Sequence, residues 1–189
     1  MMENSKKLPG SCLLMAGGKG KRMGNPLKFL LEIEGRSILE RLTEIIHWMF
    51  DAVYIAATPE NEERIRAVCK DCNILLTSGE DYAFDLNMAL RNIQHYPVLV
   101  LGSDTVIIDM ETFMPDLKRG YSEGTDLVNL IARKSGFNAS IFKRPPSTSA
   151  EVLEHADVFI SEGIAININT HGDLEKASSI ILKGARMDQ

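Results

Sequence analysis

The 189 residues predict a single α/β domain, 1–189, with a doubly wound, mostly parallel sheet and an antiparallel excursion at one edge. Three observations carry this. Short apolar runs alternate with helical stretches over the first hundred residues. PVLVLG (97–102) is almost continuously apolar, the pattern of a central strand covered on both faces. DLVNLIA (126–132) and NASIFKR (138–144) then follow each other with no helical stretch between them, as expected of paired strands at an edge.

Taken in order, CLLMA (12–16) is a short buried strand. SILERLTEIIHWMF (37–50) carries Ile38, Leu39, Leu42, Ile45, Ile46 and Met49 on one helical stripe, with Ser37 placed as N-cap. AVYIAA (52–57) is the next strand. Thr58-Pro59 opens a charged helix that runs to about Val68. NILLT (73–77) is a strand and AFDLNMALRNI (83–93) a helix. After the central strand, ETFMPDLKRG is helical, with Pro115 limiting its regularity. SAEVLEHA (149–156) reads as a short helix, GIAINI (163–168) as the last strand and DLEKASSIIL (173–182) as the last helix.

The composition narrows the function. Apolar content of 44% and charged content of 25% are those of an ordinary globular chain, so no disordered or fibrous role is indicated. A net charge of −5 argues against a nucleic-acid partner held by bulk charge. No apolar run reaches the length of a membrane span, and the opening MMENSKKLPGS does not read as a secretory leader, so a cytoplasmic address is expected. Three cysteines make no disulfide framework. Cys69 and Cys72 form a C-x-x-C, but no second pair or nearby histidine completes a zinc site, and they read as free thiols near a helix end.

Against this acidic background, LLMAGGKGKRMGNPLKF (13–29) concentrates Lys19, Lys21, Arg22 and Lys28 around glycines at the end of the first strand. Glycines let backbone N–H groups approach oxygens, and the cations neutralise negative charge, so the loop suits a polyphosphate. The competing reading is a solvated basic turn. A Walker A loop is absent, because Arg22 stands where Ser or Thr would hold magnesium. The Rossmann fingerprint also fails: Gly18-x-Gly20 is followed by Gly24, one residue too far.

AGGKGKRMG followed by Lys28 and then Gly35-Arg36 resembles the opening signature of the nucleotidyltransferases. VLVLGSDTV and the ININ of IAININTHGDLEKA match in the family's order. Within that superfamily the chain resembles the small guanylyltransferases that act on the molybdenum cofactor or, in archaea, on adenosylcobinamide phosphate. The spacing of RMGNPLKFLLEIEGR is nearer the second. The resemblance implies a Rossmann-like nucleotidyltransferase fold, GTP and a phosphorylated small-molecule acceptor as substrates, Mg²⁺ as cofactor and pyrophosphate as product. It implies nucleotide contacts from Leu14, Ala16, Gly17, Gly18, Lys19, Gly20, Lys21, Arg22 and Gly79, and catalytic roles for Arg22, Lys28 and Asp104. One departure concerns Phe29, which follows Lys28 where many relatives have proline or glycine, so the aim of Lys28 is open at this level. A non-catalytic nucleotide-binding protein of the same fold is the alternative from another class.

The remaining candidates can be read from their own chemistry. Asp104 falls just past the central strand, on the rim of the glycine loop, where a carboxylate can hold Mg²⁺ beside phosphates; it could equally be a turn or cap residue. Asp109 reads as the cap of the following helix. Asn167 and Asn169 alternate at a strand end and share a face if the strand stays extended, so both can assist a metal or a phosphate; Asn169 could instead lead into the last helix. In TSGEDYAFD, Asp81 or Asp85 could accept from guanine N1–H and the exocyclic amine, or Asp85 could simply favour the helix dipole. No histidine pair has metal spacing, and no nucleophile signature occurs; an attacking phosphate needs none.

Overall fold

The computed structural model describes residues 7–18, 20, 23–148 and 151–187. Its elements are β1 (Ser11–Met15), a 3-10 turn (Lys28–Leu30), β2 (Glu32–Ile33), β3 (Arg36–Ser37), α1 (Ile38–Met49), β4 (Ala52–Ala57), α2 (Glu62–Val68), β5 (Asn73–Leu76), α3 (Tyr82–Arg91), β6 (Val98–Gly102), β7 (Thr105–Ile107), α4 (Met110–Ser122), β8 (Leu127–Ala132), β9 (Phe137–Phe142), β10 (His155–Phe159), β11 (Ala165–Asn167) and α5 (His171–Met187).

Seven strands form the main sheet in the order β10-β8-β9-β6-β1-β4-β5. β6, β1, β4 and β5 are parallel, whereas β9 runs antiparallel to both β6 and β8. The antiparallel excursion is therefore present, but its reversed strand lies inside the sheet, with β8 and β10 beyond it. Alternation along β1 explains the layers. Cys12, Leu14 and Ala16 face α1, α2 and α4 in the larger core, and Leu13 faces α3 in a smaller one. A third cluster, Ile33, Ile38, Val106, Ile166, Ile168 and Ala177, packs α5 over two short ribbons, β2–β3 and β7–β11. No helix among the described residues is long and apolar enough to cross a membrane.

Local chemistry sets the helix starts. The Ser37 hydroxyl accepts from the Glu40 N–H at 3.2 Å, and Glu40 accepts from the Ser37 N–H at 2.7 Å, a reciprocal capping box. Asp109 caps α4 through the Thr112 N–H, as its position predicts, and the helix continues through Pro115 to Ser122.

Three expectations need correction. The helix after β4 begins at Glu62, not at Thr58-Pro59. The Thr58 N–H donates to Asn61 Oδ1 and the Asn61 N–H to the Thr58 carbonyl, so 58–61 closes as a turn first. SAEVLEHA is no helix in its described part: Glu151–Glu154 are irregular, and His155–Phe159 pairs in parallel with β8. Local helix preference there loses to the open edge of β8, and Glu151 is held by Arg144 at 2.8 Å. Cys69 and Cys72 are joined in a disulfide rather than free, and His47, remote in sequence, lies against both sulfurs.

Candidate active site

The carboxyl ends of β1, β4, β5 and β6 share one rim, where ligands bind in open parallel sheets. A cavity of about 760 Å³ opens there. It is lined by Ala16, Gly17, Gly18 and Gly20 of the glycine loop, Gly79 and Glu80 beyond β5, and Asp104, Asn167 and Asn169. Lys28 also lines it, as does Tyr82 in the first turn of α3.

Each wall has a local cause. Ala16 N–H continues the β1–β4 ladder to the Ala56 carbonyl, and the Ala16 carbonyl accepts from Asn61 Nδ2 at 2.8 Å. The buried Asn61 thus ties the root of the glycine loop to the turn after β4. Opposite stands the loop 77–80. Gly79 has φ +71°, and a Cβ there would lie 2.5 Å from Thr58 Cγ2, so the loop closes against its neighbour only with glycine. Asp85 holds this loop: Oδ1 accepts from the Ser78 N–H and hydroxyl, and Oδ2 from the Gly79 N–H.

The charged centre is built from remote segments. Phe29 is buried in the core, and its 3-10 turn points Lys28 at the cavity, which settles how the lysine is aimed. The Lys28 ammonium pairs with Asp104 Oδ2 and donates to Asn169 Oδ1 at 3.2 Å. With side chains only 19% and 14% exposed, the Lys28–Asp104 pair is sheltered from solvent screening, unlike a surface salt bridge. Asp104 folds back over Gly102, where a Cβ would stand 2.5 Å from Asp104 Oδ1. The β7–β11 ribbon joins the two motifs. Ile168 N–H donates to the Asp104 carbonyl at 2.9 Å, and the Thr105 hydroxyl to Asn167 Oδ1 at 2.9 Å. Asn169 does not cap α5: Thr170 and Asp173 do so reciprocally, with Asp173 Oδ2 also accepting from the Asn169 N–H.

The structure brings together Ala16, Gly17, Gly18, Gly20, Lys28, Gly79, Asp85, Asp104, Asn167 and Asn169. Lys19, Lys21 and Arg22 lie outside the described residues. Leu14 is fully buried in the core, on the face of β1 packed by α1, and is not among the residues that line the cavity. Asp81 caps α3 through the Phe84 N–H and is not among the lining residues; Asp85 reaches the cavity, but the loop already engages both its oxygens. Both aspartates thus hold backbone N–H groups in this structure, Asp81 at the start of α3 and Asp85 in the loop 77–80. Glu80 is the loop carboxylate that does line the cavity, and sequence reasoning missed it.

Asn61, Tyr82 and Asn138 were missed as well. An Asx turn after a strand was the available signal for Asn61, and an aromatic in the first turn of a rim helix for Tyr82. Partial desolvation, and then the charge of Asp104, hold the Tyr82 phenol above its ordinary pKa. Asn138, on β9, gave no local signal; only the place of β9 beside β6 brings it to the rim.

Asp104, Asn167 and Asn169 are oxygen donors without sulfur or imidazole, a set suited to a hard divalent ion such as Mg²⁺. Two of them, Asp104 Oδ2 and Asn169 Oδ1, already converge on one cationic nitrogen.

Comparison with known proteins accords with this geometry. The family described as MobA-like NTP transferase domain matches residues 12–157. An adenosylcobinamide-phosphate guanylyltransferase of Methanocaldococcus jannaschii is 28% identical over 90% of this chain and 97% of its own length. A molybdenum cofactor guanylyltransferase of Pseudomonas aeruginosa is 29% identical over 82% of this chain and 77% of its own. Among solved structures, 4-diphosphocytidyl-2C-methyl-D-erythritol synthase from Anaerococcus prevotii superposes with TM-score 0.62 over 91% of this chain and 97% of that one; at 14% identity it shows the shared fold alone.

Proposed function

This chain belongs to the MobA-like NTP transferase family, and on that premise we propose that it transfers GMP from GTP to a phosphorylated small-molecule acceptor, adenosylcobinamide phosphate, with release of pyrophosphate. The observation that carries the transfer reaction is the convergence of Lys28, Asp104 and Asn169 at the glycine-loop rim. The acceptor reading is supported by the match to the Methanocaldococcus jannaschii relative over 97% of its length.

The triphosphate lies along the backbone of Gly17, Gly18 and Gly20, where oxygens can approach N–H groups closely. Lys28, held between Asp104 and Asn169, faces the α-phosphate. A phosphate oxygen of the acceptor attacks the α-phosphorus, the bond from that phosphorus to the α,β-bridging oxygen breaks, and pyrophosphate departs with the electron pair. No covalent enzyme intermediate is needed, so the chain contributes by orienting the reactants and neutralising developing charge. Asp104, with Asn167 and Asn169, would hold Mg²⁺, which when bound supplies further neutralisation of the phosphates. Lys28 exchanges its present partner Asp104 for phosphate oxygen in that state.

Transfer to a molybdenum cofactor is the second reading, favoured by the Pseudomonas aeruginosa relative. GTP labelled at the α-phosphate, incubated with each acceptor in turn, tests both. Label in adenosylcobinamide product with stoichiometric pyrophosphate is the expected result. Label in the pterin product alone selects the second reading. Nucleotide binding with no pyrophosphate from either acceptor overturns both.

A further inference from the structure

His47, Cys69 and Cys72 meet at the opposite rim of the sheet from the cavity, where α1 ends, α2 is capped and β5 begins. His47 Nε2 lies 3.6 Å from Cys69 Sγ and 3.7 Å from Cys72 Sγ. The sulfurs are buried, each residue being 6–7% exposed, and the imidazole is half-buried. Nothing in nucleotidyl transfer uses these three groups.

We propose that the reduced protein binds one thiophilic divalent cation, Zn²⁺ in type, through His47 Nε2, Cys69 Sγ and Cys72 Sγ, and that the Cys69–Cys72 disulfide is the metal-free oxidised form of the same site. The imidazole is already placed for this. With Zn–S near 2.3 Å and Zn–N of about 2.0–2.1 Å, the N···S edge of a tetrahedral site is roughly 3.6 Å. Both observed N···S separations agree with that edge, so imidazole and sulfurs need little rearrangement, and reduction alone must part the two sulfurs. Two thiolates and an imidazole form a donor set that selects zinc-like ions over Mg²⁺. Three protein ligands leave a fourth position for water, so binding should be weaker than at a closed structural site.

The chemistry balances. A dithiol reductant gives two electrons and two protons to the disulfide and becomes a disulfide itself, leaving two thiols. Metal binding then displaces those two protons, so affinity rises with pH until the thiols are deprotonated.

The test uses the full chain and Co²⁺, whose tetrahedral thiolate complexes absorb in the visible and near ultraviolet. After reduction with a phosphine and its removal without oxygen, the protein should take one equivalent of Co²⁺ with intense tetrahedral bands, and Zn²⁺ should displace it. The oxidised protein should show no bands. Cys69→Ser and Cys72→Ser should each lose the sulfur-to-metal band, and His47→Asn, which retains both cysteines, should bind at least tenfold more weakly. Equal Co²⁺ uptake by reduced and oxidised protein, absence of bands in the reduced protein, or binding unchanged in His47→Asn would each overturn the proposal.

Discussion

Lys28 and Asn169 stand 141 positions apart in the chain, yet the lysine ammonium donates to the asparagine Oδ1 at 3.2 Å while pairing with Asp104. One amine is thus shared by a carboxylate and an amide from two separate segments, beside a glycine loop. A bound nucleotide changes the charge this amine faces, and that makes it informative to remove.

Lys28→Ala should lower kcat by about a hundredfold or more, with a much smaller change in GTP affinity, because a contact strengthened in the transition state acts on turnover. Steady-state kinetics paired with calorimetric binding of GTP distinguish this from a ground-state clamp, for which affinity and turnover fall together.

Asp104→Asn preserves shape and should leave the far-UV spectrum unchanged while cutting activity by about a hundredfold and shifting the Mg²⁺ response to higher concentration. Gly102→Ala reaches the same group from behind: the new methyl would stand 2.5 Å from Asp104 Oδ1 and must displace it. A loss of kcat of about a hundredfold is expected, the order associated with a misplacement near 1 Å. Full activity of both variants at low Mg²⁺ would make Asp104 a turn residue.

Base choice turns on the loop after β5. GTP should raise the melting temperature more than ATP, CTP or UTP at equal concentration. Glu80→Ala should reduce the preference for GTP over ATP by about tenfold or more, since a carboxylate pairs with the N1–H and amine of guanine and is left unsatisfied by adenine. Asp81→Ala should cost about 1 kcal/mol as a lost cap and leave base preference intact. Comparable shifts from all four nucleotides would show that the loop reads no base.

Asn61→Ala removes two bonds, to the Ala16 carbonyl and from the Thr58 N–H, at a buried position. Urea unfolding should show a loss of about 1–3 kcal/mol, and KM for GTP should rise as the glycine loop loses its anchor. Asn61→Asp, which keeps an acceptor for Thr58 but no donor for Ala16, should restore the turn and not the KM.

The Arg144 guanidinium, and then the Ser147 N–H, hold the Glu151 carboxyl down to a pKa of about 2. A group whose pKa is depressed on folding stabilises above its unfolded value and ceases to do so as pH falls through its folded one. The tie is therefore intact above pH 4.5 and is lost progressively toward pH 2. Carboxyl titration by NMR should show the depressed value in the wild type and its return to the ordinary range in Arg144→Ala.

Some of this was determined by the sequence alone. The stripe and the Ser37–Glu40 box define α1, the apolar runs define β1, β4 and β6, and the glycine loop sits on the rim because β1 ends there. These features depend on residues within a turn or two of each other, so periodicity and capping chemistry report them directly. The tertiary structure decided the rest. Only pairing of β7 with β11 carries Asn167 and Asn169 to Asp104, only the edge of β8 makes a strand of His155–Phe159, and only the folded chain brings His47 of α1 to the two cysteines between α2 and β5. Asp81 and Asp85 look alike in sequence, four residues apart, but one meets a helix end and the other two loop N–H groups. Such outcomes rest on hydrogen bonds and burial between distant segments, whose free energy exists only once the chain has closed on itself, and local residue preference carries no record of it.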